Sequence, residues 1–232
     1  MCGRAYRTYT DEELAIRYLN KKPIRLEFET SYNFCPTQLS PVVLIREDEI
    51  KVELMRWGLV PSWAKSVKDA EKYSLINARG EEIEQKRSFK SAFFNRRCIV
   101  PFSGFFEWRS PKKGPKVPFA LHLKSDPIMS IAGIWEEWTS KETGELVLSF
   151  AIVTTAANKF VGQIHDRMPV ILSKEQEELW LNPKLKDEKT LKDILNSCPD
   201  TWLEMFEVAT SVNSPRHNSA ANLVPVKQAS NN

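Results

Sequence analysis

Hydrophobic positions in this 232-residue chain follow two rhythms, alternation along short runs and helical spacing in a few segments, and the first is the commoner. Thr10 and Glu13 stand at capping-box spacing ahead of Leu14, Ile16 and Leu19, so a short helix is expected from about residue 11. "PVVLIRE" and "KVELMRWGLVP" are β-rich runs on either side of a polar "DEI" turn, and they read as a hairpin ending near Trp57 and Gly58. From "INARGEEIEQ" to "SFKSAFFNRR" the pattern turns helical, with Ile83, Phe89, Phe93 and Phe94 as buried candidates.

Strands then return in "RCIVPFSGFFEW", "PFALHLKS", "IMSIAGIWEEW" and "VLSFAIVTT", broken by clusters such as "RSPKKGPKVP" and "SKETGE". Ser173 and Gln176 form a second capping box, "EKTLKDIL" suggests another helix, and "TWLEMFEVA" is strand-like. Strands outnumber helices without alternating with them, which argues for an α+β domain over a doubly wound sheet. With no repeat, linker or internal boundary, residues 1–226 read as one domain and "KQASNN" (227–232) as a disordered tail.

Composition narrows the class. Hydrophobic content of 42% and charged content of 27% are ordinary for a soluble globular protein. With 33 basic and 30 acidic residues the net charge is only +3, so any affinity for nucleic acid has to come from a local basic groove. No apolar run has signal-peptide or membrane-spanning length, which gives the expectation of a cytoplasmic protein without a membrane partner. A single domain without an interaction tail is expected to be a monomer.

The four cysteines are scattered, with neither the C-x-x-C nor the Cys/His spacing of a zinc site, so no disulfide frame and no metal are expected. Cys98 reads as a small buried hydrophobe and Cys198 as a loop thiol. Cys2 has other chemistry open to it. Removal of Met1 is favoured by a small second side chain and would leave a 1,2-aminothiol. Its amine, at about 7.7 to 8.0, and its thiol, at about 8.5, would both supply reactive forms near neutral pH. An amine and an aldehyde form a Schiff base, which an adjacent thiol closes to a five-membered thiazolidine.

Position 2 alone decides nothing, since any chain starting "MC" shares it. Asn77, Arg79 and Glu81 lie in "INARGE", where Asn77 is equally a helix cap. Glu107 lies among Phe105, Phe106 and Trp108, where it is either a desolvated acid/base or an outward-facing strand residue. His165, with Asp166 and Arg167, precedes an apolar run and is equally a structural histidine; His122 and His217 are weaker candidates. Two stretches interleave basic and aromatic residues as single-strand binding requires: "QKRSFKSAFFNRR", and "RWGLVPSWAKS" with its two tryptophans.

In order along the chain stand "MCGR", "YNFCPTQ", "MRWGLVPSW", "INARGE", "RRCIVPFSGFFEW", "FALHL", "AGIWEEW", "FAIVTTAAN", "HDRMPVIL" and "VNSPRHNS". This series resembles the SRAP family over nearly the whole chain; members of that family sense abasic sites in single-stranded DNA. The resemblance implies one α+β domain round a mixed, mainly antiparallel, barrel-like bifurcated sheet with flanking helices. It further implies that Cys2, freed of Met1, forms a thiazolidine with the ring-opened abasic sugar and shields the lesion, with no metal or organic cofactor. Lyase and peptidase-like activities accompany that reading.

By motif position Asn77 would orient the N-terminus and sugar, Glu107 would assist proton transfer and ring opening, and His165 would act as acid/base near the imine. Arg4 and Arg79 match phosphate-contacting positions and Trp57 and Trp63 match aromatic ones, with Arg167 beside them in the DNA-binding set. One departure is that Phe34 and Cys35 precede Pro36 where the family commonly has a small residue after the Asn, which sets a second thiol in that motif. An N-terminal thiol hydrolase and a non-covalent single-strand binding module remain open alternatives.

Overall fold

The computed structural model describes residues 2–23 and 26–226; the tail expected over 227–232 lies outside the described residues. In chain order the strands and α-helices are β1 (Ala5–Arg7), α1 (Asp11–Tyr18), β2 (Ser31–Phe34), β3 (Leu39–Arg46), β4 (Glu49–Trp57), α2 (Val67–Glu71), β5 (Asn77–Arg79), α3 (Lys90–Asn95), β6 (Arg97–Phe102), β7 (Gly104–Arg109), β8 (Val117–Leu123), β9 (Met129–Thr139), β10 (Leu146–Ala156), β11 (Arg167–Pro169), α4 (Lys174–Leu181), α5 (Glu188–Ile194) and β12 (Leu203–Glu207). Both expected capping boxes are formed, at Thr10/Glu13 and Ser173/Gln176.

Strands β4, β3, β6, β9 and β10 pair in that order, and β10 returns to β4, closing a barrel. The sheet forks along β10. Its first half pairs with β9 and β4; around Ile152 these give way to β11 and β5, so Asn77 lies opposite Ile152 and Thr154 opposite both Arg79 and Pro169. The β10 pairings with β4 and β5 are parallel and the rest antiparallel, which makes the barrel mixed. A second, antiparallel sheet in the order β12-β8-β7-β1-β2 packs against it.

Side-chain alternation explains why the barrel strands read as nearly unbroken apolar runs. Val42 and Leu44, Cys98, Val100 and Phe102, and Phe150 and Ile152 point into one core shared with the second sheet. Their neighbours Val43, Ile99, Ala151 and Val153 point the other way, beneath Phe93, Trp180, Leu191 and Ile194 of the helices. A strand buried on both faces loses the polar alternation that a one-sided strand keeps.

Two local readings change. The β3–β4 turn is Glu47–Asp48, both with positive φ (53° and 59°), so Glu49 and Ile50 of the expected "DEI" turn already belong to β4. Asn77–Arg79 is a strand, followed by a short 3-10 turn at Gly80–Glu82, because the exposed edge of β10 takes it up as a partner. Asn77 is therefore no helix cap. The helix expected there is confined to α3, while Ile83, Phe89 and Phe93 are buried as anticipated and Phe94 only partly. Cys198 lies in a loop, but a buried one, and burial pushes its thiol up to about 12.

Arg97 is the largest electrostatic commitment of the scaffold. It is buried, and its guanidinium donates at 2.5–3.0 Å to the carbonyls of Phe93, Phe94, Trp180, Asn182 and Leu185. The first four of these carbonyls sit at the C-terminal ends of α3 and α4, where a cation complements the helix dipoles, and that of Leu185 lies in the connection after α4. Arg97→Met, of similar length, leaves all five carbonyls without that donor. We expect a loss of about 3–5 kcal/mol in urea denaturation. Arg97→Lys should recover only part, since an ammonium has three donors.

Candidate active site

Cys2 reaches the interior through strand pairing. Strand β1 lies antiparallel to β7 with Ala5 opposite Phe105, and the Phe106 N–H donates to the Arg4 carbonyl at 2.9 Å, so the pairing continues toward the start of the chain. That approach requires Gly104, where a Cβ would lie 2.2 Å from both the Leu121 carbonyl and the Tyr6 hydroxyl. Alternation along β7 points Phe105 into the shared core and Phe106 away from it. Glu107 has the parity of Phe105, so it is buried at 3% exposure and does not face outward.

Four segments meet here. Cys2 is fully buried, and the Asn77 side-chain amide on β5 donates to its carbonyl at 2.7 Å. His165, on the turn between β10 and β11, places Nε2 4.0 Å from Glu107 Oε2. Its Nδ1 lies 2.9 Å from the Arg167 backbone nitrogen and 3.1 Å from Asp166 Oδ1, within reach of one donor and one acceptor. An open cavity of about 420 Å³ is lined by Glu107, Trp108, Lys116, His165 and Asn213. Among the described residues no His, Cys, Asp and Glu group of three or more is arranged to hold a metal ion.

Burial governs the protonation states. Desolvation raises the Glu107 pKa above the usual carboxylate value, opposed in part by neighbouring positive charge. Desolvation, reinforced by the Glu107 carboxylate, pushes the Cys2 thiol far above its ordinary range. Within the folded chain this burial favours the protonated sulfur.

The other candidate residues separate into three groups. Arg4 reaches Asn33 Oδ1 and the Val212 carbonyl, both at 2.7 Å, and lies 5.8 Å from the Trp108 ring, beside the cavity. Arg79 is exposed on the β5 edge. Arg167 is half-buried, with its fork on the Glu81 carboxylate at 2.6 and 2.9 Å and on the Thr154 carbonyl, so DNA would have to compete for it. The same pairing holds Glu81 below the ordinary carboxylate value.

Trp57 is corrected outright. It is 0% exposed, its rings are stacked between Phe34 and Phe150 at 5.8 and 6.3 Å, and its N–H is bound to the Ile76 carbonyl, leaving no face for a base. Trp63 is half-buried, edge-on to the exposed Tyr73 at 5.2 Å and covered by Arg87 at 5.6 Å. Of the basic residues around the helical Phe cluster, Arg97 is buried and Arg96 and Lys86 are paired with Glu136 and Glu82.

Residue-level reasoning missed Asn33. It is 1% exposed, accepts from Arg4 and donates to the carbonyls of Val212, Ser214 and His217, tying the late "VNSPRHNS" loop to the start of the chain. Trp108 joins the same assembly through Asn213 at 2.7 Å. The only signal was an asparagine between the aromatic residues Tyr32 and Phe34. Cys35 follows two residues later, half-buried, with its thiol donating to the Asn33 carbonyl at 3.3 Å.

A family model for SOS response associated peptidase (SRAP) matches residues 1–215. "Abasic site processing protein YoqW" of Bacillus subtilis is 36% identical over 221 residues, spanning 94% of this chain and 97% of that protein. "Abasic site processing protein HMCES" of Pongo abelii is 32% identical over 233 residues, spanning 84% of this chain and 65% of that protein. A crystal structure of a Bacteroides thetaiotaomicron protein superposes with a TM-score of 0.83 at 29% identity, covering 97% of this chain and all of that one.

Proposed function

The chain belongs to the SOS response associated peptidase (SRAP) family, and from that premise we propose that it captures abasic sites in single-stranded DNA as a covalent thiazolidine on Cys2. Membership itself supports a role in binding and processing abasic-site DNA. The observation that carries the finer reading is the seating of position 2: wholly buried, held through its carbonyl by Asn77, and under the influence of the Glu107 carboxylate.

After Met1 is removed, the reaction orders itself from the protonation states. The thiol is held protonated, so the neutral α-amine attacks C1′ of the ring-opened deoxyribose first. The carbinolamine loses its hydroxyl as water, with the proton from the His165–Glu107 pair, and leaves a protonated imine. That positive charge, three bonds from the sulfur, lowers the thiol pKa; Glu107 takes the S–H proton, and sulfur adds to C1′ while the C=N electrons return to nitrogen. Aldehyde and aminothiol become thiazolidine and water, with no change of oxidation state and no cofactor.

In this reading Asn77 orients the N-terminus and Glu107 also assists opening of the sugar ring. Arg4, Arg79 and Trp63 hold the strand, and Arg167 joins them by exchanging Glu81 for phosphate. Trp57 keeps the core beneath. The test uses a uracil-containing single-stranded oligonucleotide treated with uracil glycosylase and the purified protein, shown by mass spectrometry to lack Met1. A heat-stable shifted band on a denaturing gel is expected. Its absence with the native N-terminus would overturn the proposal and favour the non-covalent binding module.

A further inference from the structure

Strand β7 carries Glu107 in the site and continues through Trp108 and Arg109 into the seven-residue loop Ser110–Lys116, "SPKKGPK". The β7–β8 register, with Glu107 opposite Phe119 and Arg109 opposite Val117, makes this loop the tip of a hairpin whose base is the cavity wall. Lys116, at its return, lines the cavity together with Glu107 and His165.

The hairpin gathers four cations within eight residues with no carboxylate among them. Arg17, Arg46, Arg56, Arg96, Arg167, Lys51, Lys72, Lys86 and Lys192 all have carboxylate partners. Arg109, Lys112, Lys113 and Lys116 are exposed and, among the described residues, none of them forms an ion pair; the loop contains no acidic residue. Pro111 and Pro115 restrict the loop, so its cations are presented at lower ordering cost than those of a flexible tail. At the tip, Gly114 has φ +98°, and a Cβ there would meet nothing within 4 Å.

We infer that this hairpin is a second phosphate grip, in which Lys112 and Lys113 bind the DNA backbone flanking a lesion held at Cys2. The inference rests on the proposed function. Lys112 stands five positions beyond Glu107, at most roughly 17 Å at strand rise, or up to about five stacked nucleotides from the lesion. The phosphates belong either to a continuing single strand or to a flanking duplex, and both present the same chemistry.

The test compares K112Q/K113Q with the natural chain by fluorescence anisotropy across a salt series. One oligonucleotide has ten nucleotides on each side of a tetrahydrofuran abasic analogue, which has no aldehyde and so binds without crosslinking, and another has two; in further arms each long flank is annealed to a complement. On the long single strand the variant should lower the slope of log K against log salt by about 1.4. That corresponds to an affinity loss of about 25-fold near 0.1 M salt, while the short oligonucleotide should show no difference. An effect larger on an annealed flank identifies duplex as the source of the phosphates. Unchanged slope and affinity on every long oligonucleotide, or an equal loss on the short one, would overturn the grip. If the natural chain itself bound no single strand, the proposed function would fail first, so the two failures are distinguishable. An unchanged melting temperature for K112Q/K113Q excludes misfolding.

Discussion

Cys2→Ala is expected to reduce the heat-stable adduct with abasic single-stranded DNA to background, while salt-sensitive binding to the same oligonucleotide persists. Two nucleophiles are joined at Cys2, and the substitution removes one. The α-amine still condenses with the aldehyde, but an imine hydrolyses readily unless a second bond closes it. In the natural chain the sulfur is connected to the imine nitrogen through two carbons, and such intramolecular additions run at effective molarities of about 10⁵–10⁸ M. Alanine has no atom to add.

Cys2→Ser separates the two steps further. Its hydroxyl is a poorer nucleophile, so borohydride should trap an imine on both variants, while neither gives the stable band. An N-terminal extension that keeps the thiol but blocks the amine should abolish both products. A stable adduct at natural yield on Cys2→Ala would remove the thiazolidine from the mechanism. Complete loss of DNA binding would instead move the strand grip away from Arg4, Arg79 and Trp63. The substitution itself empties little volume from the core, so near-natural stability is expected.

The sequence is informative about this site to different depths at different residues. Thr10, Glu13, Ser173 and Gln176 are local devices, and each appears where its spacing put it. The barrel strands were legible as strands, but their two-sided burial erased the alternation that would have told inside from outside. Glu107 shows the consequence: its environment is set by pairing with the start of the chain and with β8, both remote in sequence. Asn77 failed as a cap for the same reason, because β10 supplies a partner from 75 positions away. Trp57 carries the opposite lesson, since an aromatic beside a Gly/Pro turn looks like a stacking platform until Phe34 and Phe150 cover both faces.

Glu107→Gln carries the largest expected kinetic effect among substitutions that keep both nucleophiles. Loss of a positioned acid/base typically costs about 10²–10⁴-fold, and crosslinking under single-turnover conditions should fall within that range. The direction of the stability effect is opposite. Burial raises the carboxyl pKa in the folded chain, so the fold favours the protonated acid. That contribution is fully present below the unfolded value of about 4.3 and is lost as pH rises through the folded pKa. At neutral pH the buried carboxylate is therefore a cost to folding, and neutral, isosteric glutamine relieves it. Glu107→Gln should melt at or above the natural temperature at pH 7.5, with the difference closing near pH 4. The crosslinking rate of the natural chain should decline toward acid along a limb lying above the ordinary carboxylate range, as the base is protonated, and this limb should vanish in the variant. A variant with lower melting temperature and an unshifted rate profile would assign Glu107 to packing alone.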